Sequence, residues 1–173
     1  MDNQAFLNSL TKQQLIDMVN GLLTDPFTHI MNASAAFTFH KTIPANKVLL
    51  MIDMCNVHGM NHKYTMDGTN SRWINIFADN RLQDILIKYG GDEFVVILDQ
   101  KDVAGYLERL EEKMIANDVY AIVAIVTTTN NLKESVDRAD AIVNAANYTQ
   151  EINGMKPKRD EEYCMGDSHF IYE

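Results

Sequence analysis

The feature that most constrains this chain is a pair of β-rich segments joined by a short turn that contains two glycines. Residues 85–89 (ILIKY) and 94–98 (FVVIL) flank residues 90–93, which read Gly-Gly-Asp-Glu. Two β-rich runs separated by Gly-Gly predict a β-hairpin. The hairpin therefore requires a sheet, and it places two acidic side chains, Asp92 and Glu93, in its turn.

Other apolar patterns predict further strands and helices. The continuous apolar run over residues 48–53 ends on Asp53 and predicts a buried strand. The β-branched run over residues 119–129 predicts a central strand, and the apolar residues 169–172 suit a last edge strand. Apolar residues at helical spacing predict helices over residues 5–23, 70–82, 103–115 and 132–152. We therefore expect an α+β fold with a mixed central sheet flanked by helices.

The length of 173 residues suggests one domain with an appendage. Residues 1–24 are expected to form an N-terminal amphipathic helix, in which Thr11 and Gln14 fit a capping box. Pro26 ends this helix, so residues 25–173 are expected to form the domain itself. The apolar spacing leaves open whether the helix pairs as a short coil or caps the domain.

Composition and charge exclude several classes of function. With 15 Lys and Arg against 24 Asp and Glu, the net charge is −9, and no basic stripe is present. Nucleic-acid backbone binding relies on such cations, whereas a nucleotide can be bound if Mg²⁺ meets its charge. We expect no membrane segment and no signal peptide. Cys55 and Cys164 show no paired spacing, which favours a reducing compartment, the cytoplasm.

Three acidic residues lie where two predicted strands meet. Asp53 ends one strand, and Asp92 and Glu93 lie in the hairpin turn. If these strands pair, the carboxylates converge at one edge of the sheet, which is costly unless a hard cation lies there. Mg²⁺ ions bound there can activate a hydroxyl nucleophile and stabilise in-line attack on phosphorus. Gly90 and Gly91 allow positive φ and close approach of a ligand. The alternative is an ordinary solvated turn.

At residues 89–94 (YGGDEF) the chain resembles the signature of the GGDEF family, the diguanylate cyclases. The resemblance covers about residues 25 to 160. Residues 25–28 (DPFT) resemble the opening D-x-L-T segment of the family, and residues 139–141 (ADA) resemble the A-D-x-A of its late helix. Asn32 and Phe37 fall where an N-R-x-x-F run stands in the family.

The resemblance implies a palm-like fold with the signature on a β-hairpin. It also implies a homodimer in which each subunit holds one GTP with Mg²⁺ or Mn²⁺. The two GTP molecules are joined into cyclic di-GMP with release of pyrophosphate. Asp53, Asp92, Glu93 and the carbonyl of Met54 would hold the metal, and the three acids would be catalytic. Cys55 stands where the family has a second acid.

Nucleotide contacts are also implied by the resemblance. The two signature glycines would lie against the nucleotide, and Asn61, eight residues after Asp53, would read guanine. His58 stands where a phosphate-binding lysine is usual. The second guanine reader falls on Thr69 or Asn70, and neither has the carboxylate of the family, so the preference for guanine is expected to be relaxed or weakened.

Two further patterns have an ordinary alternative. Arg81 and Asp84 match the R-x-x-D inhibitory site of the family, which would bind cyclic di-GMP, since an Arg fork suits phosphate. At this spacing the two residues also fit a plain surface pair. His58 and His62 could form a helix-borne metal pair, but without a third ligand we favour ordinary polar side chains.

This chain poorly matches the K-x-x-x-R motif with which the family binds phosphate late in its sequence. Asn147 or Glu151 stands at the lysine position and Met155 near the arginine, and Lys156 or Lys158 would need a shifted backbone to substitute. Loss of this phosphate contact would remove several kcal/mol of transition-state stabilisation. The sequence therefore leaves a cyclase making cyclic di-GMP or a related dinucleotide, an impaired module that senses cyclic di-GMP or GTP, or a regulator that dimerises with an active relative.

Overall fold

A six-stranded mixed sheet forms the centre of the chain, in the order β1-β3-β4-β2-β5-β6. The structure is a computed structural model that describes residues 10–44, 46–81, 83–152 and 169–172. The strands are β1 (Met31–Asn32), β2 (Lys47–Met54), β3 (Ile85–Lys88), β4 (Glu93–Asp99), β5 (Ala121–Thr127) and β6 (His169–Tyr172). The pairs β1–β3 and β5–β6 are parallel, and the other three pairs are antiparallel. The predicted hairpin and edge strand are both confirmed.

Helices lie on both faces of the sheet. They are α1 (Lys12–Leu23), α2 (Ala33–Phe39), α3 (Val57–Ile76), α4 (Val103–Ala116) and α5 (Leu132–Ile152), and a 3-10 turn (Gln100–Asp102) precedes α4. One core cluster joins α3 and α4 to the sheet, and the other joins α2 and α5 to the opposite face. The expected α+β architecture, a mixed sheet flanked by helices, is therefore confirmed.

Strand β2 shows why its sequence is a continuous apolar run. Val48, Leu50 and Ile52 belong to the core cluster on the α3 and α4 face, whereas Leu49 and Met51 belong to the cluster on the α2 and α5 face. Because successive side chains of a strand point to opposite faces, a strand covered on both faces must be apolar at every position. This burial holds the strand that carries Asp53 at the centre of the sheet.

Helices α3 and α2 differ from the sequence prediction. The helix predicted over residues 70–82 is wrong in its limits, since α3 begins at Val57 and ends at Ile76. Helix α3 is broken in its middle, where Thr65 has non-helical backbone angles (φ 65°, ψ 165°). The short helix α2 was not predicted at all. It is capped by Asn32, whose side chain accepts a hydrogen bond from the Ala35 N–H.

The N-terminal helix α1 begins with the predicted capping box at Thr11, so its start lies later than the predicted residue 5. Residues 1–9 of the predicted helical segment lie outside the described residues. The Thr11 side chain accepts from the Gln14 N–H, and the Gln14 side chain accepts from the Thr11 N–H. Three apolar side chains of this helix are exposed, namely Ile16, Val19 and Leu22. Across the part of the chain that the structure describes, no helix is long and apolar enough to cross a membrane.

Candidate metal and nucleotide site

The pairing of β2 with β4 brings the three predicted acids to one edge of the sheet. Asp53 lies directly opposite Glu93 in the antiparallel register. One residue further along, the Met54 N–H donates to the Asp92 carbonyl over 3.0 Å. The condition on which the sequence argument depended, that these two strands pair, is therefore met. The edge formed by Asp53, Met54, Asp92 and Glu93 is called the acidic edge below.

Negative charge accumulates at the acidic edge. Partial burial raises the pKa of the Glu93 carboxyl, and the neighbouring carboxylates of Asp53, Asp140 and Asp92 raise this pKa further. Asp140 matches a family motif in the sequence without a predicted place in the site, and α5 brings it near enough to raise the pKa of Glu93. A site in which like charges disfavour ionisation of one another gains from a bound divalent cation.

Asn147 of α5 contacts the first of these acids. Its side-chain N–H donates to Oδ2 of Asp53 over 2.6 Å. The resemblance offered Asn147 or Glu151 for a lysine that grips phosphate, and the structure places the Asn147 amide against a carboxylate. The candidates Met155, Lys156 and Lys158 lie outside the described residues. An amide at this point orients the carboxylate without supplying a positive charge.

The two glycines of the turn have different surroundings. Neither takes a positive φ, so the conformational freedom expected of them is not used. A Cβ atom at Gly90 would collide with the Glu93 carboxylate, whereas a Cβ atom at Gly91 would meet nothing within 4 Å. The Glu93 carbonyl also accepts from the N–H groups of Tyr89 (2.9 Å) and Gly90 (3.3 Å). Gly90 is thus needed for the Glu93 carboxylate to fold back over the turn.

The Lys88 side chain contacts the hairpin turn through a hydrogen bond. Its side chain donates from Nζ to the Gly91 carbonyl over 2.7 Å. The same Nζ lies 4.0 Å from the ring centroid of Phe94 and 5.1 Å from that of Trp73. Burial lowers the pKa of Lys88 to about 8, although the carboxylates of Asp25, Asp92 and Glu93 oppose this shift. The sequence predicts no role for Lys88, and the feature that could have revealed one is the presence of a lysine inside a β-rich run.

Asn61 has an unpaired acceptor suited to a ligand. It lies in the first half of α3, and its Oδ1 atom is buried with no hydrogen-bond partner. A buried acceptor without a partner costs about 1–3 kcal/mol, which a ligand N–H would recover. Of the two candidates for a second base contact, Thr69 is buried and donates its hydroxyl to the Thr65 carbonyl (2.9 Å). Asn70 is only half-buried.

The two histidines of α3 lie side by side at the surface. The rings of His58 and His62 meet edge to face with centroids 4.8 Å apart, and both residues are exposed. Within the described ranges, no three Asp, Glu, His or Cys side chains form a ready-made ion site. An ion bound at the acidic edge would therefore need further ligands from outside the protein. Mg²⁺ ordinarily takes such ligands from substrate phosphates and water.

The predicted inhibitory pair takes other partners. Arg81 Nη1 lies 3.0 Å from Oδ2 of Asp102, the last residue of the 3-10 turn. Oδ2 of Asp84 accepts instead from the backbone N–H of Arg81 over 3.2 Å, and its Oδ1 is buried without a hydrogen-bond partner. The two side chains therefore do not form the plain surface pair that their spacing allowed, and Asp102 is a neighbour that the sequence did not reveal.

Comparison with solved structures defines the class of fold. The coiled coil and GGDEF domain of DgcB from Caulobacter crescentus, in complex with c-di-GMP, has a TM-score of 0.63 at 16% identity and covers 99% of this chain and 96% of that one. Diguanylate cyclase SiaD from Pseudomonas aeruginosa, in complex with its activator SiaC, has a TM-score of 0.58 at 15% identity, with coverage of 98% and 69%.

The GGDEF domain of FimX from Pseudomonas aeruginosa gives a TM-score of 0.59 at 14% identity, covering 87% of this chain and 99% of that one. No protein-family description and no curated protein matches the sequence. The chain therefore has the palm-like fold of GGDEF domains, in a sequence that has diverged far from those structures. The resemblance read from residues 89–94 is confirmed at the level of the fold.

Proposed function

We propose that the chain is a metal-dependent nucleotidyltransferase that condenses two GTP molecules into cyclic di-GMP or a related cyclic dinucleotide. The observation that carries this proposal is the register that sets Asp53 opposite Glu93, with Asp92 beside them in the turn. The GGDEF fold supports it, since structures of that fold include complexes with c-di-GMP. We place the activity in the cytoplasm, in a homodimer with one GTP on each subunit.

The residues at the acidic edge fit Mg²⁺ or Mn²⁺. Carboxylates of Asp53, Asp92 and Glu93, with the carbonyl of Met54, are the hard oxygen donors that these ions prefer. Burial raises the pKa of Glu93, and the negative charge of the neighbouring carboxylates raises it further; such an ion would neutralise that charge. When bound, the ion lowers the pKa of a 3′-hydroxyl and stabilises charge on the phosphates under attack.

The chain itself would orient the nucleotide and manage the proton. The exposed backbone at Gly91 leaves room for phosphates close to the turn. Asn61 Oδ1 would accept from an N–H of guanine, and Asn70 and His58 are proposed as further contacts with base and phosphate. Glu93 is proposed to assist the attacking hydroxyl by transient acceptance of its proton.

A second candidate is a module that binds cyclic di-GMP or GTP without turnover. Asn147 favours it, because an amide contacts Asp53 at a place where the resemblance suggested a lysine. If no other cation takes over that role, several kcal/mol of transition-state stabilisation are missing while ligand binding persists. Arg81 and Asp84 would then carry the recognition of cyclic di-GMP.

Incubation of the purified protein with Mg²⁺ and GTP, and with a mixture of GTP and ATP, tests the proposal. Products are separated by chromatography and identified by mass. Cyclic di-GMP would support the cyclase, and a mixed or adenine product would indicate altered base selection at Thr69 or Asn70. Absence of any product, together with tight binding of added cyclic di-GMP, would replace the cyclase by the sensor.

A further inference from the structure

The ion pair between Arg81 and Asp102 joins two segments that are far apart in sequence. Arg81 lies in the loop before β3, and Asp102 is the residue that precedes α4. The side chains are 39% and 20% exposed, and Nη1 lies 3.0 Å from Oδ2. A guanidinium in this position is within reach of solvent and of a ligand, but a carboxylate of the same chain already occupies it.

Asp102 does not use its side chain to cap its own helix. It stands at the N-cap of α4, yet its side chain makes no capping hydrogen bond. Aspartate at an N-cap ordinarily accepts from N–H groups of the first helical turn and is favoured there by the helix dipole. The backbone of Asp102 is instead helical (φ −95°, ψ −8°), so its carboxylate is committed to the ion pair with Arg81 rather than to the helix.

The third member of the arrangement is Asp84. One of its oxygens holds the Arg81 backbone N–H, so the loop is fixed while the guanidinium is not held by Asp84. The other oxygen is buried without a hydrogen-bond partner. A ligand that offers both a phosphate and an N–H donor, as a guanine dinucleotide does, complements Arg81 and Asp84 together once Asp102 has moved.

We propose that Asp102 is a built-in competitor that sets the concentration at which cyclic di-GMP occupies the site at Arg81 and Asp84. In the ligand-free protein the Asp102 carboxylate neutralises the guanidinium. When phosphate takes over Arg81, the partly exposed Asp102 carboxylate turns to solvent. The inference rests on the proposed recognition of cyclic di-GMP at this site. It adds a residue of this chain that tunes affinity and does not itself contact the ligand.

The test is the affinity of Asp102→Asn for cyclic di-GMP, measured by calorimetry at one fixed ionic strength. The amide keeps the size of the side chain but removes the competing charge. We expect binding about five- to tenfold tighter than in the unsubstituted protein, since a partly exposed ion pair and a repulsive carboxylate are both lost.

Asp99→Asn is the matched control, because Asp99 is three residues away, forms an ion pair with Lys47 at 3.0 Å and carries the same charge. We expect this control to bind as the unsubstituted protein does. In an Arg81→Ala background, Asp102→Asn should no longer tighten binding. Thermal unfolding of each variant shows whether the fold is unchanged.

The outcomes distinguish failure of the role proposed for Asp102 from failure of the ligand site at Arg81 and Asp84. If Asp102→Asn and the unsubstituted protein bind cyclic di-GMP with equal affinity, and binding still requires Arg81, then Asp102 is not a competitor. The ligand site at Arg81 and Asp84 then still stands. Binding that survives Arg81→Ala unchanged overturns the site and the competitor together, as does a lack of binding in both the unsubstituted protein and Asp102→Asn. Binding that is detectable only in Asp102→Asn supports the competitor.

Discussion

The acidic edge and helix α3 supply the two halves of the candidate site, and they are built in opposite ways. Along the edge, every residue from 47 to 53 of β2 pairs in unbroken register with β4. Helix α3 begins after Asn56 in a left-handed conformation (φ 53°) and is interrupted at Thr65 (φ 65°, ψ 165°). The acids are thus placed by regular structure, and the proposed base contacts by irregular structure.

Tertiary contacts hold the irregular helix in place. The Tyr64 hydroxyl donates to Oδ2 of Asp118 over 2.6 Å, and Arg72 donates to the Asn117 carbonyl over 2.6 Å. The Arg72 guanidinium also lies 3.6 Å from the ring centroid of Tyr64. Backbone angles of this kind persist only where the surroundings enforce them. Substitutions at the edge should therefore change chemistry, whereas substitutions at the break should change stability.

The largest effect is expected from removal of two acids at the edge. Asp92→Asn combined with Glu93→Gln should lower turnover by at least about 10³-fold, because metal binding and charge stabilisation are lost together. Circular dichroism and the unfolding midpoint should stay close to those of the unsubstituted protein, since the β2–β4 register is kept. Product formation, measured by mass-resolved chromatography, is the readout, and unchanged product formation would remove the metal assignment.

A smaller effect is expected from the glycine that faces Glu93. Gly90→Ala should weaken Mn²⁺-dependent GTP binding about tenfold, because a Cβ atom there displaces the Glu93 carboxylate from the turn. Gly91→Ala is the matched control, since a Cβ atom there meets no neighbour within 4 Å. Calorimetry with GTP and Mn²⁺ compares the two variants. Equal losses in both would show that the position of Glu93 does not matter.

The buried Lys88 should make stability depend on alkaline pH. Its folded-state pKa, about 8, is lower than the usual value of 10.5, so between these values the unfolded chain binds more protons. The contribution of Lys88 to stability is therefore least favourable below pH 8 and improves as the pH rises toward 10.5. Urea unfolding across this range should show the rise in the unsubstituted protein. Lys88→Arg, which stays charged, should lack it.

The smallest effect is expected at the break in α3. Thr65→Gly should stabilise the protein by about 1 kcal/mol, because relief of backbone strain outweighs the added chain entropy and a weakened cap. Thr65→Ala is the control, since it keeps the strained angles and loses the hydrogen bond from the Gly68 N–H to the Thr65 hydroxyl (3.3 Å). Denaturant unfolding measures both variants. A loss of stability in Thr65→Gly would contradict the strain assigned to Thr65.

The spacing of apolar residues along the chain was enough to predict the helices and strands in which that spacing is regular. The hairpin, the buried strand ending near Asp53, and helices α4 and α5 all lie close to the limits that the sequence predicts. The pattern failed in α3, where Thr65 resets the helical phase, and in α2, which has only seven residues. A helix that short, or one broken in the middle, gives too few repeats of its spacing to be recognised.

The sequence by itself determined the types of residue at the site, because acids after apolar strands and glycines in a hairpin turn are local features. Only the tertiary structure decided their neighbours. Asn147 meets Asp53 across 94 positions, and Arg81 meets Asp102 rather than Asp84. Lys88 lies beneath the turn because β3 directs its side chain toward Trp73 and Phe94. Such contacts depend on how helices and loops pack on the sheet, and no spacing along the chain encodes that packing.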